Sequence, residues 1–279
     1  MISKLRVTVL AENSARRRDL LAEHGLALWV CADGRNILFD TGQGLVLKHN
    51  AQVLGFDLPE VQDVVLSHGH YDHIGGLVAW PSSFRKANVY VHPAAFQGRF
   101  SLTADGEAKF SGSSLGGTEA LEGQVAKIVL TETPTEIVDG VWVTGQIPRC
   151  NDFEDVGGRF SLDEAGNTPD TIPDDQAMYI ETPDGLVVLL GCCHAGVVNT
   201  LDYIAKTTGQ RTFHAVMGGM HLERASTQRL EKTMAVLQEL DVRIVAPAHC
   251  TGAGPTGRMA RIFADRFLRL SVGVTATFP

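Results

Sequence analysis

Long apolar runs are missing from this sequence. No segment reaches the roughly 20 consecutive apolar residues that a membrane-spanning helix needs. The first residues, Met1 to Val7, alternate between polar and apolar side chains like a strand and lack the apolar core of a signal peptide. We therefore expect a cytoplasmic protein with no membrane partner.

A disulfide framework is also missing. The five cysteines are odd in number, and two of them, Cys192 and Cys193, are adjacent. Small secreted scaffolds use evenly paired cysteines instead. The pattern therefore predicts reduced thiols.

Positive charge is in deficit, with 24 Lys and Arg against 32 Asp and Glu and a net charge of -8. Such a chain repels polyanions as a whole. The basic run Arg16-Arg17-Arg18 is interpreted as a solvated helical face, because no aromatic residues are interleaved with it. We expect a small-molecule substrate and no nucleic-acid partner, while the oligomeric state stays open.

A nucleotide-binding motif is absent as well. The sequence has no GxxxxGK loop, which disfavours a nucleoside triphosphatase. A serine esterase is also disfavoured, because the single GxSxG match, Gly112 to Gly116, lies in a glycine- and serine-rich stretch and not between a predicted strand and a helix.

The length and composition predict one α/β domain over residues 1–279, because a chain of this length with 44% hydrophobic residues can bury a large core. Short apolar runs predict strands in the first half, and strands alternate with helices in the second. Helical spacing marks 197–204 and 230–240, a hairpin is predicted over 177–190, and strands are predicted at 213–217 and 242–246. Two polar, glycine-rich stretches, Ser101 to Gly123 and Cys150 to Asp175, predict loop insertions beside a cleft.

Four of the predicted strands run into a histidine. The four residues are His68, His194, His221 and His249. Strand ends place side chains on a rigid scaffold beside open loops, which is where layered α/β folds keep their sites. Histidines gathered in this way indicate a metal.

The strongest local signal is the pattern His68-x-His70-x-Asp72-His73. Imidazole and carboxylate are good ligands for borderline divalent ions such as zinc. One such histidine alone would more often be a hydrogen-bonded structural residue. Four groups together without a cation would leave buried polar atoms unsatisfied, so the pattern predicts a metal site.

The segment Ser67 to Gly76, which reads SHGHYDHIGG, resembles the signature motif of the metallo-β-lactamase superfamily. LFDTG at 38–42 and PAHCTG around His249 resemble further elements of that superfamily. The segments EHG, GCCHAG and GGMHL resemble a subgroup of metal-dependent hydrolases related to 7,8-dihydropterin-6-methyl-4-(β-D-ribofuranosyl)aminobenzene-5'-phosphate synthase.

The resemblance implies an αββα sandwich with loop insertions over the cleft and two divalent metal ions at the shared edge of its sheets. Zinc is expected, with manganese or iron as alternatives. His68 and His70 would hold the first metal. Asp72 and His73 would hold the second, whose shell His249 would complete.

The chain departs from the superfamily pattern twice. The segment Gly145 to Pro148 has no histidine where many members carry one, and no aspartate follows Gly191. We expect His194 to supply the missing metal ligand. A thiolate from Cys192 or Cys193 stays open as the alternative, because thiolate is also a good zinc ligand.

Three further residues are candidates with plainer alternatives. His24 and His221 are predicted to bind substrate, although a surface loop and a structural histidine are the simpler explanations. Asp40 is predicted to orient a metal-binding histidine through a hydrogen bond, without binding the metal itself. The alternative is that its carboxylate caps a turn.

The predicted chemistry is hydrolysis by a metal-activated water, with Asp72 both binding metal and accepting a hydrogen bond from the nucleophile. A small phosphoester or phosphodiester is favoured, because the resembled subgroup is associated with phosphorylated, pterin-like compounds. Lactone, thioester or other acyl-ester hydrolysis is the first alternative. A non-catalytic metal- or ligand-binding sensor is the second.

Overall fold

The computed structural model describes residues 1–279. It contains sixteen strands, which in chain order are β1 (Leu5–Ala11), β2 (Ala27–Ala32), β3 (Arg35–Phe39), β4 (Asp63–Val65), β5 (Asn88–Val91), β6 (Phe100–Leu102), β7 (Ala108–Phe110), β8 (Lys127–Leu130), β9 (Thr135–Val138), β10 (Val141–Val143), β11 (Phe160–Ser161), β12 (Met178–Thr182), β13 (Gly185–Leu190), β14 (Phe213–Gly219), β15 (Ile244–Ala248) and β16 (Thr275–Phe278).

The α-helices are α1 (Leu47–Leu54), α2 (Tyr71–Ala79), α3 (Val197–Thr208), α4 (Thr227–Glu239) and α5 (Ala253–Phe263). None of them is long and apolar enough to cross a membrane. Local sequence sets their ends. The hydroxyl of Ser226 accepts the amide proton of Arg229 at the start of α4, and Gly209 ends α3 with a left-handed φ of 72°.

Two large sheets and one small sheet organise the strands. The first sheet has the order β16-β1-β2-β3-β4-β5-β8, and the second has the order β15-β14-β13-β12-β10-β9. The small sheet, β11-β6-β7, joins the two glycine-rich insertions. In the first sheet β3, β4, β5 and β8 run parallel, as do β13, β14 and β15 in the second.

Three apolar layers hold the sheets and helices together. The central layer packs one sheet on the other, for example Val7 and Val30 against Val187 and Met217. One outer layer packs α1 and α2 on the first sheet, and the other packs α3, α4 and α5 on the second. Both faces of each sheet are covered, which is why the strands are apolar on both sides. The predicted αββα sandwich is confirmed.

The arrangement gathers strand ends at one edge of the sandwich. Carboxyl ends of neighbouring parallel strands meet at the same edge, so β13, β14 and β15 deliver their following residues together. In the first sheet β3 and β4 do the same. The residues that follow these five strands form the candidate site.

Most predicted elements are confirmed, including the hairpin β12-β13 and the helices α3 and α4. The helical interpretation of Arg16-Arg17-Arg18 was wrong. Ala15 pairs with Val272 in an isolated bridge, which ties this segment to the chain near the C-terminus, and the arginines lie in a turn. The strand predicted at 242–246 lies two residues further along the chain, as β15, because the amide of Val242 donates to the carbonyl of Leu237 at the end of α4.

Candidate metal centre

The HxHxDH motif lies where the chain passes from β4 into α2. His68 and His70 precede the helix, and Asp72 and His73 are in its first turn. Gly69 packs so tightly that a Cβ there would collide with the carbonyl oxygen of Ala95. Four candidate ligands thus share one short, closely held turn.

A buried ion pair between Arg99 and Asp174 holds this turn in place. The amide of Gly69 donates to Asp174 Oδ2 at 2.7 Å, and Arg99 contacts the same carboxylate at 2.9 Å. Both side chains are fully buried. Nothing in the local sequence around Asp174 indicated this role, since the three residues come together only through the second insertion.

The protonation of His68 and His73 is fixed by Asp40. His73 Nδ1 donates to Asp40 Oδ2 at 2.7 Å, which leaves Nε2 with its lone pair. The hydroxyl of Ser67 donates to the same carboxylate at 2.7 Å and therefore accepts from His68 Nδ1 at 2.9 Å. His68 Nε2 therefore also carries a lone pair, and this nitrogen lies 2.9 Å from His70 Nδ1.

Two more histidines are oriented in the same manner from other parts of the chain. His194 Nδ1 donates to the carbonyl of Val156 at 2.7 Å, and His249 Nδ1 donates to Asn13 Oδ1 at 2.8 Å. His249 Nε2 then lies 3.3 Å from His73 Nε2. His194 Nε2 is buried without any hydrogen-bond partner.

These imidazole nitrogens lie close to one another, in an arrangement that could hold a cation. Burial lowers the pKa of His70 to about 3 and lowers the pKa values of His68 and His194 well below the usual range, so protons would not occupy these three imidazoles. His73 differs, because the carboxylates of Asp40 and Asp72 outweigh burial and raise its pKa. His70 Nε2 is likewise buried and unpartnered. Converging unprotonated imidazoles suit a divalent metal of the zinc type.

Cys192 lies between the two groups of histidines. Its sulfur is 3.2 Å from His73 Nε2. The same sulfur lies within 4.8 Å of the ligand atoms of His68 and His194 on one side, and of His73 and His249 on the other. The thiol therefore occupies the position from which one ligand could reach both groups.

Cys193 points away from this position. Its sulfur contacts the hydroxyl of Thr200 at 3.4 Å, and the residue packs in the outer apolar layer.

Burial raises the pKa of the Cys192 thiol, and a neighbouring cation would oppose that shift by stabilising the thiolate. The structure brings His194 and Cys192 to the candidate site together, whereas the sequence alone had left them as alternatives.

Asp72 supplies the only carboxylate among the candidate ligand groups. Its Oδ2 lies 3.2 Å from His24 Nε2 and 3.3 Å from His249 Nε2. Burial alone would raise the pKa of Asp72, but His73, His24 and His249 outweigh it and hold the pKa well below its usual range. Asp72 is thus an anion beside the imidazoles. His24 joins this group, although the sequence had suggested only a substrate contact.

Four of the candidate ligands, His70, Asp72, Cys192 and His249, line the base of a cavity of about 770 Å³. His24 and His221 line it, as do Ser101 from the first insertion and Phe160 from the second. The predicted position of both insertions beside the cleft is confirmed. His221 lies with its ring 4.4 Å from that of His194, and its substrate contact stays a prediction.

Gln146 lies outside the candidate site. It is exposed and belongs to none of the candidate ligand groups, in agreement with the expectation that it does not replace the missing histidine.

Two residues that hold His249 in place were missed by the sequence analysis. Glu12 accepts the backbone amide of His249, and Asn13 accepts from its ring. Their only signal was their place directly after β1.

Two known proteins resemble this chain over nearly its whole length. The chain is 27% identical to 7,8-dihydropterin-6-methyl-4-(beta-D-ribofuranosyl)-aminobenzene-5'-phosphate synthase of Methanocaldococcus jannaschii, an alignment that covers 99% of this chain and 98% of the relative. It is 30% identical to Tm1679, described as a metal-dependent hydrolase of the beta-lactamase superfamily, with a TM-score of 0.83 and 98% of each chain covered.

A more distant structure shares the fold. The metallo-beta-lactamase fold protein YhfI from Bacillus subtilis is 12% identical, with a TM-score of 0.60, 99% of this chain and 100% of that chain covered. The family model of the metallo-beta-lactamase superfamily matches residues 21–165, which include the whole HxHxDH motif. This chain belongs to the metallo-beta-lactamase superfamily.

Proposed function

We propose that this protein is a hydrolase that uses two divalent metal ions to cleave a small phosphoester or phosphodiester. The observation that carries the proposal is the convergence of oriented imidazole lone pairs on both sides of Cys192. Residues 1–279 would act as one domain, because both sheets contribute ligands. A reducing cytoplasm would keep Cys192 as a thiol.

The candidate ligands divide into two groups around the shared sulfur. His68, His70 and His194 would hold one metal. Asp72, His73 and His249 would hold the other, with zinc favoured by the nitrogen and sulfur donors and manganese or iron as alternatives. Cys192 would contribute to both, in the place where the chain lacks an aspartate after Gly191.

Two bound cations would lower the pKa of a water molecule and polarise the ester oxygen. The protein residues then have separate tasks. Asp72 would accept a hydrogen bond from the attacking water, and His24 would keep the carboxylate in place at 3.2 Å. Phe160, whose ring lies 5.0 Å from that of His70, would exclude bulk water from this side of the base.

The phosphoester preference is supported by the relative from Methanocaldococcus jannaschii, whose name describes a phosphate-bearing product. That relative is named a synthase, so hydrolysis by this chain needs a direct test. Acyl esters are the competing substrates, because the same metal chemistry polarises a carbonyl oxygen.

The experiment uses protein purified in reducing buffer without chelator. Metal content is measured by mass spectrometry, and turnover is measured on phosphomonoesters, phosphodiesters, a lactone and a thioester. We expect two metals per chain and phosphoester turnover that chelation abolishes and added zinc, manganese or iron restores. Asp72→Asn should reduce turnover by about a thousandfold, the equivalent of roughly 4 kcal/mol.

Asp57→Asn is the matched control, because Asp57 is an exposed aspartate outside the cavity. It should keep both metal and turnover. Turnover of only the lactone or thioester would replace the phosphoester proposal with acyl-ester hydrolysis. Two bound metals without turnover on any substrate would favour a binding or sensor protein.

A further inference from the structure

We propose that four arginines at the mouth of the cavity bind a second phosphate group of the substrate, one that is not cleaved. We call Arg16, Arg159, Arg224 and Arg269 the arginine rim. All four line the cavity whose base holds the candidate metal ligands, and all four are exposed. The inference deepens the proposed function and rests on it only for the cleavage step.

The rim stands on two walls of the cavity. Arg16 and Arg269 belong to neighbouring segments, because the bridge between Ala15 and Val272 joins the turn after β1 to the chain before β16. On the second wall, the segments that carry Arg159 and Arg224 are in contact, because Gly157 packs against the ring of His221 and Arg229 Nη1 donates to the carbonyl of Asp155 at 2.9 Å. Cations therefore face the opening from more than one side.

None of the rim side chains has a carboxylate within 4 Å or a hydrogen bond within the protein. Several other arginines do have such partners. Arg17 pairs with Asp19 at 2.6 Å, and Arg35 pairs with Asp63 at 2.6 Å. The rim keeps its guanidinium groups available, although the whole chain has a net charge of -8.

The three carboxylates in the same lining are outnumbered by the four arginines, and two of the three are already engaged in hydrogen bonds. Glu12 is occupied by the amide of Ser14 at 2.6 Å and by the amide of His249 at 2.9 Å. Asp72 is held between His24 and His249. Glu223 alone is free in the lining, against four arginines and no lysine.

The chemistry of the rim fits phosphate on a small molecule. A guanidinium group donates in a planar fork that matches the oxygens of a phosphate group. The cavity volume of about 770 Å³ is within the range of small-ligand pockets. The second insertion links the two regions, because Arg159 is on the rim and the next residue, Phe160, lies against His70 at the base.

The test compares two ligands by calorimetry on the metal-loaded protein. One ligand is a linear alkanediol bisphosphate, and the other is the alkyl monophosphate of the same chain length. The bisphosphate should bind at least about tenfold more tightly, since one charge-assisted hydrogen bond is worth roughly a factor of ten. The double variants Arg16→Gln/Arg269→Gln and Arg159→Gln/Arg224→Gln measure the two walls separately.

We expect one or both double variants to lose that advantage while the monophosphate affinity changes little. Arg18→Gln is the matched control, because Arg18 is an exposed arginine in the same run as Arg16 and does not line the cavity. Equal binding of the two ligands by the unaltered protein would overturn the inference. An equal loss in the Arg18→Gln control would overturn it as well.

A short single-stranded oligonucleotide forms the last arm of the test. Tighter binding of this polymer than of the bisphosphate would also overturn the inference, in favour of a polyanion. Because these are binding measurements, they are independent of turnover. A failed hydrolysis panel with intact preference for the bisphosphate would refute the proposed reaction and leave the anion site standing.

Discussion

The two halves of the candidate metal centre are built in opposite ways. In the first half, His68, His70, Asp72 and His73 come from one short segment that leads from β4 into the first turn of α2. In the second half, Cys192 and His194 follow β13, and His249 follows β15. A contiguous motif depends on local backbone geometry, whereas the dispersed half depends on the order of parallel strands. The second half is therefore the better place to test the proposed centre.

The largest effect is expected from His194→Ala. His68 and His70 provide only two imidazoles to the first group, and a zinc site normally needs three protein ligands. The variant should lose one metal and at least about a thousandfold of turnover. Gln146→Ala, on the segment that lacks the customary histidine, should keep both. Full metal occupancy in His194→Ala would show that another residue completes the first group.

The two adjacent cysteines allow a sharper comparison within the dispersed half. Cys192→Ser should weaken metal binding by at least about a hundredfold, because a hydroxyl ionises far less readily than a thiol and a direct ligand should count for more than a supporting one. Cys193→Ser should keep both metals and lower the free energy of unfolding by about 1–2 kcal/mol, since it puts a hydroxyl into an apolar layer. Metal titration and thermal unfolding separate the two outcomes, and the reverse pattern would refute the assignment of Cys192.

Almost all of the first half of the centre could be predicted from the sequence. The spacing of His68, His70, Asp72 and His73 predicted the cluster, and strand-end positions predicted that His194 and His249 would join it. The choice between Cys192 and Cys193 could not be predicted. Cys193 has a left-handed φ of 57°, so the alternation of the preceding strand does not continue and cannot say which sulfur points inward.

Contacts between distant parts of the chain could not be predicted from the sequence either. Asn13 follows β1 in the first sheet and holds His249 after β15 in the second, 236 positions away. No local pattern encodes a pairing across two sheets. The same limit explains Arg16, which the sequence pattern indicated to be part of a solvated helical face, although its side chain lines the cavity and its neighbour Ala15 pairs with Val272.

Asp40→Asn tests how the contiguous half keeps its imidazoles oriented. The new NH₂ group would lie either against both His73 Nδ1 and the hydroxyl of Ser67, where it favours the wrong tautomer of His73, or against the backbone N–H of Ser67, where two donors would meet. Metal affinity measured by chelator competition should fall by about a hundredfold. Asp33→Asn is the control, because Asp33 also has a left-handed φ, 47° against 59° for Asp40, and does not line the cavity. An equal fall in both variants would mean that the backbone, and not the tautomer, was disturbed.

The smallest effect is expected at Asn13, which does for His249 what Asp40 does for His73. A neutral amide oxygen 2.8 Å from His249 Nδ1 orients the ring less strongly than a carboxylate. Asn13→Ala should therefore weaken metal binding by only about tenfold. Asn13→Asp retains an acceptor for the same N–H group and should bind metal at least as well as the unaltered protein, with the unfolding temperature of the metal-free protein unchanged in both variants. If Asn13→Asp weakens metal binding as much as Asn13→Ala, the hydrogen bond to His249 does not position the ring, and the dispersed half is held by its strand ends alone.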